Sequence, residues 1–184
     1  MTIIELREKR AKLWDTMEGF LDTHRDRKGV LSAEDDAVYA NMEKELNDLT
    51  NEVRRMERRD AMAAELADAL ARTAGMSCAI SDRDAVIAAA GGAKKDVLEK
   101  SVSAELEQLM EQRIIYARGE SSLPDIPLSG RDGYRLVTAV PVITDGDVSG
   151  CVAFISEKED TASSEVLLGL CQSAAQFLSR RIAV

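Results

Sequence analysis

An α+β protein, built as a helical hairpin followed by a small antiparallel sheet flanked by helices, is predicted by three features of this 184-residue sequence. The first is one unbroken helical pattern over residues 32 to about 73, free of glycine and proline. The second is the placing of turn formers: Pro124, Pro127, Pro141 and nine of the eleven glycines follow residue 69, where a compact core with turns is therefore expected. The third is a pair of apolar runs, 134–143 and 148–156, separated by Thr144-Asp145-Gly146-Asp147, which reads as a hairpin because Asp-Gly favours the left-handed backbone of a tight turn.

Taken in order, Ile3, Leu6, Leu13, Met17 and Phe20 follow a heptad, with Arg10 and His24 interrupting it and Trp14 and Leu21 widening the stripe. This predicts a helix over about residues 2–24, ended by the polar run 24–29. Ser32 with Asp35 predicts a capping box for the long helix. Its seam is Tyr39, Met42, Leu46, Leu49, Val53, Met56, Ala63, Ala67 and Leu70, broken only by Asp60. Some 40 residues at 1.5 Å each make a rod on the order of 60 Å, whose stripe needs a second helix alongside, so the two helices fold back as a hairpin. Composition places a boundary near residues 66–72, giving a helical segment 1–68 and a domain 69–184.

In the second part, runs 76–81 and 85–90 around Asp82-Arg83-Asp84 predict two strands with a tight turn. Gly91-Gly92 stops the second, and 93–98 with 102–113 predict two helical pieces kinked near Ser101. Residues 114–133 carry two of the prolines and read as a long loop, the kind of segment that closes over a binding site. Pro141 places the next strand at an edge or ends its pairing. Thr161 or Ser163 is expected to cap a last helix to about Ile182, with Leu167, Leu170, Cys171, Ala174, Phe177 and Leu178 on its apolar face.

Charge and cysteine content bound the function. The chain carries net charge −9 with pI near 4.8, which disfavours direct nucleic-acid binding, since a phosphate backbone repels an acidic surface. Three cysteines without a close pair suit a reducing compartment, so a cytoplasmic protein is expected. The N-terminus is charged from Glu5 and the longest apolar run, 136–143, is too short to span a bilayer, so neither a secretion signal nor a membrane segment is expected.

Two resemblances add to this. Cys78-Ala79-Ile80-Ser81-Asp82-Arg83-Asp84, the small-residue turn with paired lysines from Gly91 to Leu98, Lys100-Ser101-Val102-Ser103, and Pro141 with Gly146 and Gly150 make residues 69–184 similar to the C-terminal GAF domain of stage V sporulation protein T. That resemblance implies a small antiparallel sheet flanked by helices, entering and final helices that pack in a dimer, and a sensor role without catalysis. The swapped-hairpin DNA-binding domain that precedes this domain in that regulator has no counterpart in residues 1–68. Those residues, through the run Glu5 to Arg10, through Leu31-Ser32-Ala33-Glu34 and through residues 53–66, resemble the N-terminal helical scaffold segment of tailed-phage major capsid proteins. No capsid shell domain follows them.

No acid, base or nucleophile stands out. His24 is the only histidine and is remote in sequence from every cysteine, so no catalysis, metal or cofactor is expected. Cys78 and Cys151 fall in predicted strands, either as apolar filler or facing one pocket. Lys94 and Lys95 follow Gly91-Gly92 at a helix start, either a solvated turn or an anion contact. Arg54, Arg55, Arg58 and Arg59 form a basic patch on outer heptad positions, a solvated face or a contact for acidic partners. The ligand site is placed between the sheet and the loop 114–133, lined by Tyr116 and Tyr134, with Cys78 and Cys151 beneath and Lys94 as anion contact. The competing reading has both tyrosines plugging the core. Self-association as a homodimer or higher oligomer is expected through Leu46, Leu49, Val53, Met56, Leu170 and Phe177. The function read from these residues is that of a non-catalytic regulatory sensor for a small molecule, the alternative being a phage-derived assembly protein in which the GAF fold only dimerises.

Overall fold

Two helices open the chain, α1 (Ile3–His24) and α2 (Ala33–Ala74), and α2 runs unbroken for 42 residues. The computed structural model describes residues 3–25, 29–120, 123–130, 133–158 and 161–182. The chain divides into two compact units, 1–59 and 60–184.

In the first unit α1 folds back against α2. Leu6 buries itself against Leu49 and Val53, with Leu13 and Met56 packed around them. Nearer the turn, Phe20 stacks on His24, with ring centroids 4.0 Å apart, and lies 6.4 Å from Tyr39. Ser32 caps α2 as its sequence implies: its Oγ accepts from the Asp35 amide at 3.1 Å and donates to the Asp35 carboxylate at 2.7 Å. Arg7–Glu57 and Lys9–Glu45 pairs cross between the helices at 2.7 and 2.8 Å. Their side chains are about half exposed, so each contributes at most ~1 kcal/mol and burial of the seam holds the hairpin.

The second unit is an antiparallel sheet of five strands: β1 (Ser77–Ser81), β2 (Val86–Ala90), β3 (Tyr116–Ala117), β4 (Arg135–Thr144) and β5 (Asp147–Ser156), in the order β2-β1-β5-β4-β3. The C-terminal turns of α2 from Ala63 onward and helix α5 (Glu165–Ile182) cover one face, where Ala67, Leu70, Cys171 and Leu178 meet Cys78, Ile80, Val152 and Phe154. The short helices α3 (Lys94–Val97) and α4 (Ala104–Glu111) cover the other, where Val97, Leu106 and Met110 meet Ala79, Ala139, Cys151 and Ile155. Turn chemistry does what the residues predict. Asp145 and Gly146 both adopt positive φ, 52° and 89°, and close a two-residue hairpin between Thr144 and Asp147. Asp82 Oδ1 accepts from the amides of Asp84 and Ala85 and so shapes the β1–β2 turn.

Four local expectations change. The kink near Ser101 is a full break: residues 98–103 leave the helix, Ser101 bridges to Ala85, and Ser103 begins α4 as a separate capped helix. The long loop 114–133 is not free of structure. It contains β3, which pairs with β4 at Ala139 and Thr138, and Pro127, which bridges to Arg135. Pro141 sits in an interior strand by order, yet β3 is only two residues long, so no strand lies on the outer side of β4 at Pro141. The cap of α5 is Ser164, whose Oγ accepts from the Leu167 amide at 3.3 Å. Ser163 instead donates its amide to Arg118 O and shares a hydroxyl bond with Thr138.

Candidate functional site

On the α4 face the sheet is lined by the segment 123–130 as well as by helix. Leu128 N donates to Tyr134 O, Leu136 N donates to Ile126 O, and Ser103 ties the segment to α4 by donating its hydroxyl to Pro127 O at 2.7 Å. With the middle of the segment held at residues 126–128, Tyr116 and Tyr134 lie inward. They are 1% and 9% exposed and pack among Leu106, Ile126, Leu128 and Leu136. Both tyrosines thus fill the core rather than line an open pocket. Burial raises the Tyr116 phenol pKa above its ordinary value, although the nearby Arg118 guanidinium works against the shift.

The cysteines do not share a site. Cys78 pairs across β1–β5 with Phe154, and Cys151 lies three residues earlier on β5, so the two-residue period of a strand sends them to opposite faces. This corrects the expectation of one pocket above both. Cys171 on α5 joins Cys78 on its face. Burial raises all three thiol pKa values, that of Cys171 to about 12, so none is poised as a thiolate nucleophile. Lys94 is exposed at the start of the four-residue α3. The amides beside it are already used, Lys94 N bonding Gly91 O and Ala93 N bonding Ser77 Oγ, so neither of these two amides is open to an anion. Among the expected seam residues, Leu49 and Val53 are buried, Leu46, Met56 and Leu170 half-buried, and Phe177 is 43% exposed under the Arg181 guanidinium. Of the basic patch, Arg55 pairs with Glu52 and Arg58 donates to Arg54 O, so these arginines work within their own exposed helix face.

The polar group that sequence reasoning missed is Arg118, immediately after β3. It is only 7% exposed. Its Nε lies 2.9 Å from Asp125 Oδ1, and its Nη1 donates to Lys158 O at 3.0 Å and Thr161 O at 3.3 Å. Nε and Nη2 are both buried without a hydrogen bond among the described residues, so Asp125 is met as an ion pair. Arg118 thereby ties the segment at Asp125 to the approach to α5. Nothing local marks it, because an arginine between a two-residue strand and Gly119 reads as an exposed loop cation. Two clefts also open in this unit. One of about 390 Å³ lies at the tip of the sheet between Arg83, Asp84, Glu107, Glu111, Arg113 and Asp147. The other, of about 470 Å³, lies beside Arg72, Ser77 and Gly91-Gly92.

A five-stranded antiparallel sheet in the order β2-β1-β5-β4-β3, with helices on both faces and its thiols buried and protonated, defines a GAF-like domain in an α+β chain. Residues 60–183 match the family described as stage V sporulation protein T C-terminal, transcription factor, and the chain belongs to that family. Stage V sporulation protein T of Bacillus subtilis (strain 168) is 35% identical over 120 residues, 65% of this chain and 66% of that protein, so the chain spans about two thirds of that relative's length. Among solved structures, the type II free methionine-R-sulfoxide reductase of Thermoplasma acidophilum matches with TM-score 0.51 and 12% identity, covering 70% of this chain and 94% of that one. The GAF domain of the Acinetobacter phosphoenolpyruvate-protein phosphotransferase matches with TM-score 0.49 and 14% identity, covering 72% and 92%. The family match begins at residue 60, and the resemblance of residues 1–68 to capsid scaffold segments finds no support in it. Among the described residues no helix is long and apolar enough to cross a membrane.

Proposed function

We propose that this chain is a non-catalytic regulatory protein whose GAF-like domain responds to a small molecule and self-associates through its helices, acting on transcription without itself contacting nucleic acid. The observation that carries this is membership, over residues 60–183, of a family described as a transcription factor. The interior chemistry agrees with a role other than catalysis: the thiols are buried and protonated, and His24 stacks on Phe20 in the helical segment. Net charge −9 favours contact with another protein over a phosphate backbone.

Self-association is supported by α5. Val166 and Phe177 are exposed on it, 70% and 43%, and half-buried Leu170 lies between them at the edge of the core at helical spacing. The stripe is self-complementary about a two-fold axis. An antiparallel copy centred between Leu170 and Ser173 sets Val166 against Phe177, and Glu165 near the Arg180-Arg181 end of the partner helix. Light scattering on the full chain should show a dimer or larger, and a thermal-shift screen of nucleotides, amino acids and organic acids should find a class that raises the melting temperature. A monomer that responds to none of them would sink the reading.

A further inference from the structure

We propose that Arg118 is the anchor for the carboxylate of a small organic acid, and that Asp125 holds this anchor as an exchangeable stand-in. This rests on the sensor reading above and names its ligand class. A guanidinium presents two parallel donors along its Nε–Nη2 edge, a fork that matches both oxygens of one carboxylate. Asp125 lies at that edge with one carboxylate oxygen 2.9 Å from Nε, an ion pair, yet neither Nε nor Nη2 makes a hydrogen bond among the described residues. Burying a cation is costly unless its donors are satisfied. The other side of the group is saturated by the carbonyls of Lys158 and Thr161, so the unmet demand points one way.

Access fits the same ligand. The Asp125 side chain is 37% exposed while that of Arg118 is 8% exposed, so the carboxylate reaches the guanidinium from the solvent side, the route a dissolved acid would take. The Tyr116 hydroxyl donates to Pro124 O at 3.4 Å and its oxygen also faces the Arg118 guanidinium.

The test is chemical rescue on the full chain with Asp125→Ala, and with Asp125→Asn in case the first does not fold. Millimolar sodium phenylacetate is compared with phenylacetamide and with sodium chloride at equal ionic strength. Phenylacetate should raise the melting temperature of the Asp125 variants by several degrees and bind them about tenfold more tightly than the native chain, because the internal competitor is gone. It should also shift the Arg118 Nε–H resonance. Adding Arg118→Lys to either variant should abolish both effects. An equal response to phenylacetamide or to chloride, a response that survives Arg118→Lys, or no response in either Asp125 variant would overturn the anchor. If the native chain responds to another ligand class, unaffected by Arg118→Lys, the sensor reading stands and the carboxylate anchor falls.

Discussion

Backbone room at Gly150 decides how closely β5 approaches the end of β1. A Cβ there would sit 2.0 Å from Ser81 O and 3.0 Å from its carbonyl carbon, and a backbone carbonyl cannot swing away like a flexible side chain. Gly150→Ala is therefore expected to destabilise the domain by about 2–4 kcal/mol in chemical denaturation. Gly146 has open space around its Cβ position, so Gly146→Ala should cost only the strain of its φ of 89°, about 1–2 kcal/mol. Titration of the buried thiols gives a second test. Cys171 moves from 9.0 to about 12 through burial, partly offset by a backbone hydrogen bond at Phe154. Its folded pKa lies above its unfolded one, so the stability tied to the protonated thiol is fully present below pH 9 and is lost as pH rises towards 12. The loss is on the order of 1.4 kcal/mol per pH unit for each such thiol, and denaturation at stepped alkaline pH should show a shallower decline for Cys171→Ala.

Helix starts and the hairpin seam carry the element-scale predictions. Ser103 both caps α4, accepting from the Leu106 amide at 3.0 Å, and binds Pro127 O at 2.7 Å. Ser103→Ala removes both bonds at a buried site and should cost about 2 kcal/mol, with faster amide exchange at Ile126 and Leu128, since one hydroxyl holds helix and segment together. In the helical unit, Leu49 is 8% exposed and packs with Leu6 and Val53, whereas Leu46 is half-buried. Leu49→Asp should lower helicity by circular dichroism, with a cost on the order of 3 kcal/mol, and Leu46→Asp should cost less, because its charge stays partly in water. Equal effects of the two would argue against this packing.

At the scale of the whole molecule, the outward stripe of α5 predicts assembly that a single charge can break. Val166→Glu or Phe177→Glu is expected to move the light-scattering mass towards monomer while leaving near-ultraviolet circular dichroism unchanged, since both side chains are outside the core. Unchanged mass in both variants would exclude α5 as the interface. The Arg118 network ties the segment at Asp125 to the carbonyls just before α5, and Ser163 is bonded to both Arg118 and Thr138. A change at the anchor thus bears on the start of the helix proposed to meet the partner, and comparing the mass with and without phenylacetate would report that link.

What was legible in the sequence is what local chemistry and periodicity dictate. Ser32 with Asp35, the unbroken run of α2, Asp82 in its turn and Asp145-Gly146 in the last hairpin each specify a conformation within a few residues, so both helices of the hairpin and four of the five strands could be read in order. Leu49 and Val53 are buried at helical spacing along α2. Tertiary structure decided the rest, where one residue's environment is made by segments far along the chain. Tyr116 and Ala117 become a strand only because β4 offers them partners more than twenty residues on. Cys78 and Cys151 part company because strand pairing, not composition, assigns their faces. Arg118 reads as a loop cation until Asp125, Lys158 and Thr161 close around it, and a buried charge of this kind owes its cost and its use to contacts that no local pattern encodes.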